Sequence, residues 1–207
     1  QKQLSQGEFI ALMAMLFATI AFSIDSMLPA LPSIAAELTP DLPNRAQLIL
    51  SSFVLGMGVG TLFTGPLSDA FGRKRVLLLG TALYIIGAAL AWSAQTLEIM
   101  LVARVIQGVG AAGPRVVAMA IVRDIYSGRA MARIMSFVML VFTLVPAVAP
   151  LLGTAIIAFS GWRGVFVAFV LFALIASLWL GLRQPESLPV ASRRPLRLSL
   201  MWAAMVE

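Results

Sequence analysis

The sequence predicts an all-α membrane protein built as a bundle of six transmembrane helices. Three observations carry this. Hydrophobic residues make up 60% of the 207 positions and charged residues only 12%, with a mean hydropathy of +0.97. A soluble domain of this size needs no such excess, so much of the apolar surface must face lipid. The stretches 46–68, 76–97, 134–162 and 164–182 hold no charged residue at all. A bilayer core takes about 20 apolar residues per helix. Lastly, the cations collect in alternate loops, as an even number of crossings would arrange them. The runs are continuous rather than alternating, which favours helices over barrel strands.

The elements follow in order. Residues 1–8 form a short N-terminal segment, and the first span covers 9–36, broken only by Asp25. Its length and the five spans after it argue against a cleaved signal peptide. A short outer loop, ELTPDLPNR at 37–45, leads to span two at 46–68. A basic loop at 69–75 precedes span three at 76–97, and span four covers 98–123 with Arg104 and Arg115 inside it. A second basic loop, 123–133, leads to span five at 134–158, and span six covers 163–182. Residues 183–207 turn polar, proline-rich and basic, reading as a linker. Their last stretch, LSLMWAAMVE, begins either an amphipathic helix or a seventh span.

Charge gives the orientation. With the N-terminus inside, the inner loops hold Lys2, Arg73, Lys74, Arg75, Arg123, Arg129, Arg133, Arg183, Arg193, Arg194 and Arg197, and the outer loops hold only Arg45 and Arg163. This bias puts both termini in the cytoplasm. Trp92 and Trp162 fall near the outer interface, Tyr126 and Trp179 near the inner one. The net charge of +6 is thereby a matter of topology, with no nucleic-acid surface required. The chain has no cysteine and no histidine, so disulfides, thiol nucleophiles and imidazole relays are excluded and any proton chemistry must use carboxylates. No motif sets a nucleophile beside a base or gathers a metal set, so no enzyme, metal or cofactor is expected.

Asp25 is the first functional candidate. It lies about 18 Å before Glu37 along a helix, near the membrane middle. An ionised aspartate there costs about 2.5–3.5 kcal/mol on insertion scales. Burial penalises the charged form and a neighbouring cation favours it, so such a group can switch protonation. Pro29 cannot donate to the carbonyl of Asp25, and Pro32 does the same to Leu28. The helix is expected to break there. Asp25 either serves function or satisfies backbone donors in that break.

Arg104 and Arg115 are eleven residues apart, about three turns, and so share a face expected to look into the bundle. Arg115 has a second reading, snorkelling as a structural cation. Gly108 on the same stripe leaves room for a close neighbour. Gly56 and Gly60, with Thr64, form a ladder on span two suited to close packing, either within the bundle or against another one. Pro146 and Pro150, with Gly153, are candidate hinges of span five.

The loop GPLSDAFGRKRVLLLG at 65–80 goes beyond a simple basic loop, with Gly65, Asp69, Gly72 and Arg73 at fixed spacing. It resembles the loop 2–3 signature of the major facilitator superfamily. RVIQGVGAAG from Arg104 resembles that superfamily's fourth-span motif, and VPAVAPLLG at 145–153 the fifth-span motif of its drug:proton antiporters. DSMLPALPSIA resembles the first span of the same antiporters, and VRDIY and MSFVMLVFTLVPAVAPLLG most resemble the bicyclomycin/chloramphenicol-resistance (Bcr/CflA) subgroup. The likeness covers most of 9–185. Ala149 and Thr154 depart from it, replacing two usual glycines of the fifth-span motif.

The resemblance implies the N-terminal half of a major facilitator fold, with substrate bound between two six-helix halves. It implies roles for Asp25, Arg104 and Arg115 in proton and substrate coupling. It also implies a conformational gate of Gly65, Asp69, Gly72, Arg73 and Asp124. The expected function is proton-coupled efflux of small amphipathic drugs across a bacterial-type inner membrane by alternating access, with the proton gradient as energy source and no cofactor. The expected partners are a small-molecule substrate, the bilayer, and a C-terminal half or a second copy of this chain. A metabolite or uptake carrier of the same superfamily, and a self-dimerising six-span module that does not transport, are the other readings.

Overall fold

A computed structural model describes residues 4–193. Among these there is no strand. α1 (Gln6–Asp25) is capped by Ser5, whose hydroxyl accepts from the backbone N–H of Glu8. A 3-10 turn at Leu28–Ala30 separates it from α2 (Leu31–Leu38). A second such turn, Pro43–Gln47, leads into α3 (Leu48–Phe71), followed by α4 (Arg73–Trp92), α5 (Leu97–Ile125) and α6 (Gly128–Arg183). Thr96 caps α5, its hydroxyl accepting from Ile99 N–H.

α6 has 56 residues, more than twice what one crossing requires. Gly161, at φ 67°, interrupts it. That backbone conformation is strained for residues with a side chain, and here it folds the element into two arms, 128–160 and 162–183. Trp162 and Arg163 meet Glu37, while Trp179 and Arg183 meet Glu8, so the second arm runs back along the whole of the first span. α1 with α2, then α3 with the turn before it, α4, α5 and α6 are five stretches long and apolar enough to cross a membrane, and the Gly161 break divides the last, giving six passes.

The expected loops are shorter in the structure. At 69–75 only Gly72 is left between helices, its φ of 101° fitting glycine alone, and between α5 and α6 only Tyr126 and Ser127 are left. Charged helix ends extend past the apolar runs, because exposed backbone at a membrane face is better satisfied inside a helix. Pro146 and Pro150 lie within the first arm of α6, where backbone angles stay helical. The break falls at Gly161 instead. Gly153 packs closely on the first span: a Cβ there would collide with the Ser26 backbone.

α5 is the spine. A Cβ on Gly56 would meet the Val105 carbonyl, one on Gly60 would meet Val109, and one on Gly108 would meet the Phe53 carbonyl. The ladder on α3 therefore packs within this bundle, and backbones approach because no side chain intervenes. On its other flank α5 meets α4, with Gly87 against Gln107 and Gly110 against Tyr84. The residues after α6 are not a free linker. Glu186 folds back onto the start of α4. The LSLMWAAMVE stretch, like Lys2, Arg194 and Arg197, lies outside the described residues.

Candidate functional site

The first span breaks where its prolines require. Met27 N–H, which in a continued α-helix would donate to the Ser23 carbonyl, donates to Ile24 instead. Pro29 leaves the Asp25 carbonyl without its donor as well. The Ser23 carbonyl, so released, accepts from Nη2 of Arg104 at 3.2 Å.

Arg104 is fully buried. Its Nη1 donates to Gln107 Oε1 at 2.7 Å and its Nε to the Ile49 carbonyl at 3.3 Å. The guanidinium lies over Phe53, 4.3 Å from the ring centre, with Phe166 at 6.0 Å. No carboxylate of the described residues is within ion-pair distance of it. Three oxygen dipoles and two aromatic faces replace a counterion, which a buried cation otherwise demands. Tyr84 completes the cluster. Its hydroxyl lies 2.6 Å from Ser23 Oγ, whose own proton goes to the Thr19 carbonyl, so the phenol donates. Nε2 of Gln107 is buried with no acceptor among the described residues.

Asp25, two residues beyond the Ser23 carbonyl, is half-buried. Among the described residues no group donates to its carboxylate and no cation pairs with it. The backbone-capping reading is therefore set aside. Arg115 differs from Arg104 despite sharing its face. It is exposed and unpartnered among the described residues, because the helices enclosing Arg104 do not close over it. Pro32 lies in the first turn of α2, where a missing N–H costs nothing.

The second cluster lies at the basic end of the bundle. Arg73 pairs with Asp69 at 2.5 Å and with Asp124 at 3.0 Å, and donates to Ser68 Oγ at 2.6 Å. This joins the ends of α3, α4 and α5. Sequence reasoning missed Glu186, which accepts from the backbone N–H groups of Arg73 at 2.9 Å and Lys74 at 3.2 Å, the unpaired donors of the first turn of α4. Ser187 adds a bond to Asp124 at 3.0 Å, and Lys74 Nζ donates to the Gly181 carbonyl at 2.7 Å. A pocket of about 470 Å³ opens beside them, lined in part by Gly65, Asp69, Arg73 and Asp124. Gly65 meets no described neighbour that a Cβ would touch, whereas at Gly72 a Cβ would meet Glu186 and Arg193.

A family model for the Major Facilitator Superfamily matches residues 11–205. The chain belongs to that superfamily. It is 34% identical over 200 residues to the bicyclomycin resistance protein homolog of Haemophilus influenzae, covering 97% of this chain and 50% of the relative. It is 35% identical over 177 residues to the multidrug resistance protein MdtL of Escherichia coli K12, covering 83% and 44%. An uncharacterised MFS-type transporter of Bacillus subtilis, YdgK, is 32% identical over 186 residues, covering 89% and 46%. The chain thus spans about half the length of the curated relatives it matches. Among solved structures, the human organic anion transporter MFSD10 superposes with a TM-score of 0.73 at 21% identity, covering 94% of this chain and 51% of that one. The proton:xylose symporter XylE gives 0.77 at 15%, covering 88% and 45%. These two likenesses establish the fold. The superfamily assignment makes the chain a multi-pass membrane protein of a transporter family and not of an enzyme family, and two of its relatives are named for bicyclomycin and multidrug resistance.

Proposed function

We propose that this chain is half of a drug exporter that moves small amphipathic molecules across a bacterial inner membrane in exchange for protons. A C-terminal six-helix half, or a second copy, supplies the facing wall, and the basic end faces the cytoplasm. The observation that carries the reading is Asp25. It is an unpaired, half-buried carboxylate at a backbone break inside a membrane span, beside a cation already committed to other acceptors. An intramembrane carboxylate is expensive, and one left without a partner is free to exchange a proton or a substrate contact. Protonation of Asp25 favours substrate release, and deprotonation restores the site. Arg104 holds the break in shape and sets the local potential. The cluster of Asp69, Arg73, Asp124 and Glu186 holds the basic end closed in one state of the cycle.

The test is Asp25→Asn in the full-length native transporter, reconstituted in liposomes with bicyclomycin as the probe. The variant should lose transport driven by an imposed pH gradient while keeping downhill exchange. Normal gradient-driven accumulation by Asp25→Asn would sink the mechanism. Counterflow of drugs against metabolites then separates export from a carrier that uses the same residues.

A further inference from the structure

Two clusters of the same composition tie the first span to the last. At the basic end, Glu8 Oε1 accepts from Arg183 Nε at 2.8 Å and from Trp179 Nε1 at 3.3 Å, while Oε2 accepts from Arg183 Nη2 at 2.9 Å. At the opposite end, Glu37 Oε2 accepts from Trp162 Nε1 at 2.8 Å, and Oε1 meets Arg163 Nη1 at 2.8 Å. Arg163 also donates to the Ala94 carbonyl at 3.1 Å and stacks on Trp162 at 4.1 Å. Each end thus holds one carboxylate, one indole N–H and one guanidinium. Between the two ends the contact is apolar, with Phe22 against Phe169 and Phe172.

The tied lengths do not match. As straight α-helix, residues 8–37 would span about 44 Å and residues 162–183 about 32 Å. Tilt, side-chain reach and a bend can take up the difference, and a bend falls most easily on the weakest stretch of the longer partner. That stretch is 26–30, where Pro29 withholds one backbone bond and the Ser23 carbonyl has turned to Arg104. Gly153 backs the turn through Ser26. Asp25 is the residue at its edge.

We propose that Glu8 and Glu37 are positioning residues for Asp25: by pinning both ends of the first span to the last, they hold the turn at 26–30 in the shape that leaves the carboxylate half open. The inference rests on the reading of Asp25 as the proton site. Neither glutamate lies near Asp25. The groups that do face its turn are Arg104 from α5 and Tyr84 from α4, both through Ser23, while the described charges of α6 (Arg129, Arg133, Arg163 and Arg183) lie near its ends or at the Gly161 break.

The experiment is backbone hydrogen exchange across residues 24–31 of the full-length native transporter, measured against pH and corrected for intrinsic rates. Glu37→Ala and Glu8→Ala are each expected to speed exchange at this turn by about fivefold or more, since local opening reports lost tertiary restraint. Wild type should show a pH-dependent step that Asp25→Asn abolishes, and the two alanine variants should move that step by about half a pH unit. Glu37→Gln should restore most of the wild-type behaviour, because its amide oxygen still accepts an N–H. Arg45→Ala, which breaks the separate pair with Glu98, should move neither reading. Unchanged exchange at 24–31 in both alanine variants overturns the proposal, as does a loosened turn with an unmoved step. A loosened turn in a protein whose wild type has no step overturns only the role of Asp25, leaving the clamps as the hold on the turn.

Discussion

Arg104 Nη2 donates to the carbonyl of Ser23 at 3.2 Å, which makes the proline break of one helix the partner of a buried cation on another. The carbonyl is available because Met27 N–H has turned to Ile24. The two features support each other: without the break Arg104 loses an acceptor, and without Arg104 the break leaves a buried carbonyl unpaired, at a cost of about 1–3 kcal/mol.

Arg104→Met should therefore destabilise the protein by roughly 2–4 kcal/mol, from unpaired acceptors and lost stacking on Phe53. Arg104→Lys keeps the charge but has no planar fork for three divergent acceptors, so it should recover less than half of that loss. Thermal unfolding in detergent, read by intrinsic fluorescence, gives both values. A stable Arg104→Met protein would mean that the cation is held for function alone.

Gly108 and Gly58 are a matched pair. A Cβ on Gly108 would collide with the Phe53 carbonyl, part of a backbone that cannot step aside, whereas one on Gly58 meets nothing within 4 Å. Gly108→Ala should part α3 from α5 and greatly reduce the monodisperse yield. Gly58→Ala should be neutral, or stabilising by up to about 1 kcal/mol from helix propensity. Equal yields from the two variants would show that the α3–α5 contact tolerates a methyl group.

These contacts mark how far the sequence alone reaches. Four charge-free runs, with two further apolar runs that carry Asp25 or Arg104 and Arg115, mark six crossings because lipid imposes a length and composition on each segment locally. Asp69 and Arg73 are also legible, being one helical turn apart across a glycine. The wheel that puts Arg104 and Arg115 on one face says nothing of what lies opposite each level, so it does not separate the buried arginine from the exposed one. Ser23 and Tyr84 escape for another reason, as does the part that Gln107 of the fourth-span motif plays beside them. They are ordinary polar residues scattered over three helices, and only the packing makes them one cluster. The Gly161 break falls in the short gap between spans five and six, where the sequence shows only a connection, while the backbone angles at Pro146 and Pro150 stay helical.

Glu186 illustrates the same limit and gives the last prediction. It lies in a polar stretch that reads as a linker, yet its two carboxylate oxygens accept from the first two N–H groups of α4, and Oε1 also accepts from Leu188 N–H at 3.2 Å. A carboxylate at a helix N-terminus satisfies orphan donors and meets the favourable end of the helix dipole. Removing a cap of this kind costs about 0.5–2 kcal/mol. Glu186→Ala should release residues 184–193 from the Arg73 cluster, raising hydrogen exchange in the first turn of α4 and at Asp124, whose bond from Ser187 depends on the same fold-back. Glu186→Gln keeps one acceptor oxygen and should fall between the two. Asp69→Asn is the contrast: it weakens the Arg73 pair but leaves the cap intact, so it should lower stability without freeing 184–193. Protease accessibility of that segment reads the difference directly. If Glu186→Ala leaves the segment protected, the fold-back is held by its other contacts, chiefly the Ser187 bond to Asp124, and the carboxylate is only a local cap.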